Sequence, residues 1–425
     1  VELGKVTSAS TQKGDPLTQP NVPYIGLEHI ERELGIINGQ GTAADVRSTK
    51  TFFRKGDLLY GKLRPYLNKV WLAQFDGMCS TDILVYPKTD TVENAFLKYR
   101  FMTRDFVSYA SENSNGVNLP RVNAKALARF PIWFPPLPEQ RRIVAEIEKQ
   151  FTRLEAGVAA LRRVQANLKR YRAAVLKAAC EGRLVPTEAE LHRQRKTKSA
   201  QLETGAELLT RILAERRKNW TGRGQYKEPI PPDSANIPPS LPEGWACASV
   251  DQMTENFDGR RVPLKSADRD KRSGQYPYYG ASGIIDDIDD FLFDGDYLLI
   301  AEDGANLLSR STPIAFKATG KFWVNNHAHI VQTRGEIPLA YLSIFLNGKD
   351  ISFSVTGSAQ PKLTQAALNK IPVPLPPLAE QTRIVAEVER RLSVVEELES
   401  VVTANLQRAT RLRQSILQKA FTGGI

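Results

Sequence analysis

Two clusters of side chains in this 425-residue sequence have the types needed to read nucleic-acid base edges. Bidentate contacts pair Arg and Lys with guanine, and Asn and Gln with adenine. The first cluster is Gly61-Lys62-Leu63-Arg64-Pro65-Tyr66-Leu67-Asn68-Lys69, followed by Asn113, Asn115, Asn118 and Arg121. The second comprises Asn306, Arg310, Asn325, Asn326, His327, Gln360 and Lys362. Each residue taken singly has two plainer readings, a solvated loop side chain or a phosphate contact, because most protein–DNA hydrogen bonds go to the backbone. Gly304, Gly320 and Gly357 suit turns better than contacts.

Catalytic patterns are missing from the sequence. It contains no Gly-x-x-x-x-Gly-Lys-Ser/Thr loop for nucleotide phosphates. An Asn-Pro-Pro-Tyr-like motif of amino-methyltransferases is also absent, every Pro-Pro pair falling in a linker or at a helix start. The four histidines are scattered apart from His327 and His329. As alternate residues of a strand these two share a face and could ligate a metal, against a packing or DNA-contacting role. Cys79, Cys180 and Cys247 lack the spacing of a disulfide frame or zinc site, which fits a reducing cytoplasm. The net charge of +11, from 58 basic and 47 acidic residues, favours a polyanionic partner, nucleic acid before membrane. No apolar run is long enough to span a bilayer, and no signal peptide is visible.

The elements that must carry these clusters are set by an internal repeat. Pro135-Pro136-Leu137-Pro138-Glu139-Gln140-Arg141-Arg142-Ile143-Val144-Ala145-Glu146 returns as Pro376-Pro377-Leu378-Ala379-Glu380-Gln381-Thr382-Arg383-Ile384-Val385-Ala386-Glu387. The offset is 241 (376 − 135), and residues 135–155 show 12 identities in 21 positions without a gap. The same offset aligns Gly116 with Gly357, Pro120 with Pro361 and Gly182 with Gly423. Each copy opens a long helix whose apolar residues step by three and four, a coiled-coil seam. In the first the seam is Ile143, Ile147, Phe151, Leu154, Val158, Leu161, Leu168 and Val175, with an interruption near Gln165. In the second it is Ile384, Val388, Leu392, Val395, Val402, Ala409 and Ile416.

Charge orients the pair. Arg162, Arg163, Lys169, Arg170, Arg172 and Lys177 make the later part of the first helix basic, whereas Glu387, Glu389, Glu396, Glu397 and Glu399 make the early part of the second acidic. Antiparallel pairing sets these against each other, and parallel pairing would stack basic on basic. A helix of about 44 residues rises on the order of 65 Å, which bounds the distance between the halves at about 19 base pairs.

The globular segments read as mixed α/β. Strand-like runs include Asp57–Tyr60, Asn68–Leu72 and Asp82–Tyr86, followed by a helical pattern from Val92 to Ser111. Between the halves lies a connector with a polar helix pattern from Ala206 to Trp220 and a Pro-rich strap.

Together these features resemble the specificity subunit of type I restriction–modification enzymes. The residues carrying the resemblance are the doubled Pro-Pro-Leu-x-Glu-Gln-x-Arg-Ile-Val, Leu241-Pro242-Glu243-Gly244-Trp245, Ala301 through Asn306, Gly320 through His329, and Gln360 through Thr364. The resemblance spans essentially the whole chain. It also implies a Leu-Pro-x-Gly-Trp before the first domain, so a short N-terminal piece is expected ahead of Val1.

The implied fold is a multidomain α/β (α+β) chain with two target recognition domains separated by two long antiparallel coiled-coil helices in a pseudo-twofold repeat. The expected boundaries are recognition domain 1 at 1–134, spacer helix 1 at 135–183, connector at 184–240, recognition domain 2 at 241–375 and spacer helix 2 at 376–425. The resemblance implies a non-catalytic cytoplasmic subunit that reads a bipartite, asymmetric site in double-stranded DNA. Its implied partners are two methyltransferase (modification) subunits and restriction/translocase subunits. No cofactor is expected in this chain; S-adenosylmethionine, ATP and Mg are expected in the partners. Two other readings stay open: a coiled-coil scaffold that reads no DNA, and a metal-dependent nuclease with a dispersed site.

Overall fold

The computed structural model describes residues 1–195, 203–222 and 224–424. Part of the expected connector (196–202 and 223) and the last residue of the second helix segment therefore lie outside the described residues. The chain packs as two compact units, Val1–Val164 with Val401–Ile425, and Gln165–Ser400.

The two long helices run Leu137–Cys180 and Leu378–Phe421, and each gives one part to each unit. The first is unbroken through Gln165, where the sequence suggested an interruption in the seam. Both are antiparallel within each unit. In the first unit, Ile143, Ile147 and Phe151 share a core with Ile416, Leu417 and Ala420. In the second, Val175 and Ala179 share a core with Ile384 and Val388. The charge argument is visible in the second unit, where Arg172 donates to Glu399 at 3.0 Å and lies 3.7 Å from Glu396.

The repeated motif locks each helix start. The buried Gln140 donates from Nε2 to the Pro135 carbonyl at 2.9 Å and accepts from the Glu93 amide at 2.9 Å. Gln381, equally buried, donates to the Pro376 carbonyl at 2.8 Å. A proline carbonyl that cannot join the helical ladder thus gains a side-chain donor. Glu139 and Glu380 diverge. Glu139 is half-buried and pairs with Arg142. Glu380 is buried, accepts from the Trp245 indole and the Glu188 amide, and is pushed up from its ordinary pKa mainly by burial. At the other end of the first helix, Gly182 turns the chain at φ 67°. A Cβ there would stand 2.5 Å from Pro242 Cγ.

The globular parts repeat too, which their sequences barely disclose. In the first unit, Leu58–Gly61 lies between Val70–Leu72 and Ile83–Tyr86, all antiparallel. In the second, Tyr297–Ala301 lies between Ala315–Ala318 and Ala328–Thr333, again antiparallel. A further sheet matches over four strands, the first unit adding a fifth, Lys13–Gly14, beside Lys50–Phe53. Gly41–Thr42, Pro23–Ile25, Gly77–Cys79 and Lys50–Phe53 pair antiparallel, parallel, antiparallel. Gly283–Ile288, Ser273–Gly280, Lys321–Val324 and Phe293–Asp294 do the same.

Behind the first of these sheets, the expected helix over 92–111 is two helices, Asn94–Phe101 and Arg104–Glu112. The break is at Thr103, which is extended (ψ 150°) and whose hydroxyl bonds back to the Arg100 carbonyl at 2.6 Å. It lets Phe106 stack on Phe101 at 4.1 Å, with Tyr60 edge-on to both. The connector helix, Gly205–Lys218, buries Leu208 and Ile212 in the core of the second unit. The Pro-rich strap is pinned there as well, through Ile230 to Asp251 and Asp233 to Lys370. Among the described residues, no helix is long and apolar enough to cross a membrane.

Candidate nucleic-acid interface

In each unit the central strand ends in a loop clamped by three backbone hydrogen bonds. In the first unit Lys62 donates to Asp82 at 2.9 Å, Arg64 to Pro120 at 2.7 Å, and Val122 to Lys62 at 3.0 Å. In the second, Glu302 donates to His327 at 2.9 Å, Gly304 to Pro361 at 3.0 Å, and Leu363 to Glu302 at 2.7 Å. The clamped partner is a short hairpin in both. Asn115 faces Arg121 in one, and Thr356 faces Lys362 in the other. Gly116 at φ 103° and Gly357 at φ 81° begin the hairpin tips. A Cβ would meet the Leu119 carbonyl at 3.2 Å in the first and the Gln360 carbonyl at 2.6 Å in the second. These are the glycines and prolines that the 241-residue offset aligns.

The side chains on the shared frame differ. Lys62, Arg64, Asp82 and Arg121 in the first unit stand where Glu302, Gly304, His327 and Lys362 stand in the second. Arg121 grips Asp82 with two bonds, Nε to Oδ1 at 2.9 Å and Nη2 to Oδ2 at 3.2 Å. Lys362 meets Glu302 at 3.2 Å, and His327 Nδ1 lies 2.7 Å from Asp303.

Under the second frame sits a buried polar network. His329 places Nδ1 2.6 Å from Asp258 Oδ2 and Nε2 2.8 Å from the Leu363 carbonyl. The ring thus ties the Asp258 carboxylate to the backbone of the hairpin. Burial alone would raise Asp258, but the His329 bond and charge, the Ile330 amide and Arg261 outweigh it and hold the carboxyl below its ordinary value. Glu302 is half-buried, and Arg261, His329 and Lys362 hold it low against the effect of burial. Because His329 bonds Leu363, this network supports the hairpin that carries Gln360 and Lys362.

The side chains of Arg64, Tyr66, Asn115, Asn118 and Arg121 are exposed in the first unit, and Lys62 is half-buried. Asn326, His327, Gln360 and Lys362 are exposed in the second. Six candidates are instead engaged within the fold, which corrects the sequence reading. Asn68 is 3% exposed, in a left-handed turn with φ 44°. Lys69 donates to the Leu27 carbonyl at 2.6 Å. Asn306 ties its own loop by accepting from Thr312 N and donating to Thr312 O. Arg310 caps the carbonyls of Leu307, Leu346 and Lys349, and burial lowers its pKa. Asn325 is buried and accepts the His327 amide at 2.8 Å. Asn113 closes a helix end by donating to the Tyr109 carbonyl.

Asp82, Asp258, Arg261 and Glu302 escaped the sequence reading, since each meets its partner 39 or more residues away or through a buried bond. The two histidines considered as a metal pair face different carboxylates, one exposed and one buried. Among the described residues no group of three or more His, Cys, Asp or Glu could hold a metal ion. Along the helices, Ile143, Ile147, Phe151, Leu168, Val175, Ile384, Val388, Val395, Val402 and Ile416 are buried, while Leu154, Val158, Leu161 and Leu392 are half-buried.

Comparison with known proteins gives a consistent result. The type I restriction modification DNA specificity domain matches twice, at residues 2–160 and 242–400. The type I restriction enzyme EcoDI specificity subunit of Escherichia coli is 33% identical over 234 residues, covering 54% of this chain and 51% of that protein. The putative type I restriction enzyme specificity subunit S.HindORF215P of Haemophilus influenzae is 38% identical over 136 residues, covering 32% of this chain and 34% of that protein. The chain thus spans about half or less of the length of these curated relatives. A solved chain from work on complex assembly and conformational transition of the type I R-M system shares the fold. Its TM-score is 0.68 at 20% identity, covering 100% of this chain and 97% of that one. Matched along most of its length, in two copies that coincide with the internal repeat, the chain belongs to the type I restriction modification DNA specificity family.

Proposed function

We propose that this chain is a non-catalytic DNA-recognition subunit that reads a bipartite, asymmetric site in double-stranded DNA, one part with each globular half. The observation that carries this reading is the twice-built hairpin frame, identical in its backbone bonds and different in its exposed side chains. One frame repeated with different polar groups suits a reader of two unlike half-sites, because base identity is read by side-chain donors and acceptors. The +11 charge supplies the sequence-independent attraction to phosphates. A scaffold that reads no DNA would have no use for two such frames.

In this reading, residues 1–134 and 241–375 are the recognition domains and the long helices are spacer and docking surface for modification subunits. Restriction subunits join that assembly, and S-adenosylmethionine, ATP and Mg belong to those partners. The test is selection of random duplex DNA by the chain assembled with its modification subunits, followed by sequencing of the retained fragments. A consensus split by an unread gap is expected. No enrichment would favour the scaffold reading, and cleavage by this chain with Mg²⁺ alone would favour the nuclease.

A further inference from the structure

We propose that Arg121 reads a guanine in the half-site of the first recognition domain, and that Asp82 is the positioning residue that aims it. This rests on the functional reading above and names the base class and the residue pair. Arg121 sits on the hairpin strand opposite Asn115, with Pro120 and Val122 on either side bonded to Arg64 and Lys62. Its backbone is therefore fixed to the end of the central strand.

The guanidinium is fixed as well. Asp82 takes one long edge of it, through Nε and Nη2, while Nη1 only leans on the Leu119 carbonyl at 3.4 Å. A carboxylate on that edge leaves the end-on pair, one N–H each from Nη1 and Nη2, untouched by Asp82. That pair has the spacing of guanine O6 and N7. The side chain is 44% exposed, and the same frame carries Lys62, Arg64, Asn115 and Asn118, all groups suited to DNA.

Two physical points favour a base over a phosphate. First, Asp82 brings a negative charge beside the cation, which weakens attraction to a phosphate but orients the fork for a neutral base edge. Second, so exposed an ion pair adds little to stability, so folding gives it little reason to be built. The matching position of the second domain carries Lys362 beside Glu302. Lysine is a point donor without a fork, so the two frames discriminate differently.

The test uses the full chain assembled with its modification subunits, in the same selection and sequencing experiment. The wild type should show guanine at one position of one half-site. R121Q and R121K should each reduce that preference roughly tenfold to a hundredfold, with the other half-site unchanged as an internal control for folding. D82N should weaken the same preference severalfold, and D82E should restore much of it, a rescue that loss of fold would not produce. A uniform loss of affinity across all sequences, with the salt slope reduced by about one, would make Arg121 a phosphate contact and overturn the proposal. So would an unchanged preference in R121Q. A wild-type complex that gives no split consensus would overturn the functional reading itself, and this inference with it.

Discussion

Replacing His329 by alanine probes the support of the second frame. The ring is 1% exposed and joins Asp258 to the Leu363 carbonyl. Its removal deletes two buried hydrogen bonds and leaves their partners unsatisfied, at about 1–3 kcal/mol each. It also leaves Asp258 without its His329 partner, Arg261 remaining at 3.5 Å. Breaking a buried pair from one side costs about 3–5 kcal/mol. The Ile330 amide still bonds Asp258 at 2.8 Å, which places the expected loss near the lower end, about 3 kcal/mol. Hydrogen exchange resolved along the chain is the assay, because it reports each unit separately. Protection of Ala328–Thr333 should fall by about a hundredfold, while Leu58–Gly61 in the first unit stays unchanged. H329Q, which keeps a donor, should recover part of the loss. Protection in H329A within a factor of two of wild type would refute the network, leaving the ring as packing alone.

Three further outcomes follow from the same structure. Asp258 and Glu302 are both held low, so their stabilisation is complete above the unfolded carboxylate range near 4. It is lost as pH falls through the lower folded values; acid unfolding of the second unit should be less steep in D258N, and an unchanged slope would contradict this. Q381A leaves the buried Pro376 carbonyl without its donor and should cost about 1–3 kcal/mol in denaturant unfolding; Q140A removes two bonds and should cost more. R172A should cost no more than about 1 kcal/mol and show salt dependence, because its pair with Glu399 is partly solvated. A larger, salt-dependent loss would mean that the charge pattern of the helices is a major source of their pairing.

The helices were legible because their task is the same in both copies. Gln140 and Gln381 satisfy equivalent proline carbonyls, Pro135 and Pro376, and the seam needs apolar residues at fixed steps, so the constraint falls on side chains and survives in sequence. The globular repeat was hidden because its constraint falls on the backbone. Any residue can donate the amide that Lys62 and Glu302 both donate, so opposite charges occupy one position of the frame. Gly116 with Gly357 and Pro120 with Pro361 betray it, where backbone geometry restricts the side chain. Residue type identified polar candidates but not their direction: Arg310 and Asn325 turn inward, while Arg121 and Lys362 turn outward. The break at Thr103 was missed because an apolar stripe runs through it.

In the proposed reading, two equivalent frames read two different half-sites through the side chains they carry. Exchanging the hairpin tips tests it most directly. Val117-Asn118-Leu119 would be replaced by Ser-Ala-Gln, the residues at 358–360, in the otherwise intact chain assembled with its modification subunits. Selection and sequencing should then show an altered preference in one half-site and an unchanged one in the other. Preferences that stay the same in both halves, or change together, would contradict the account.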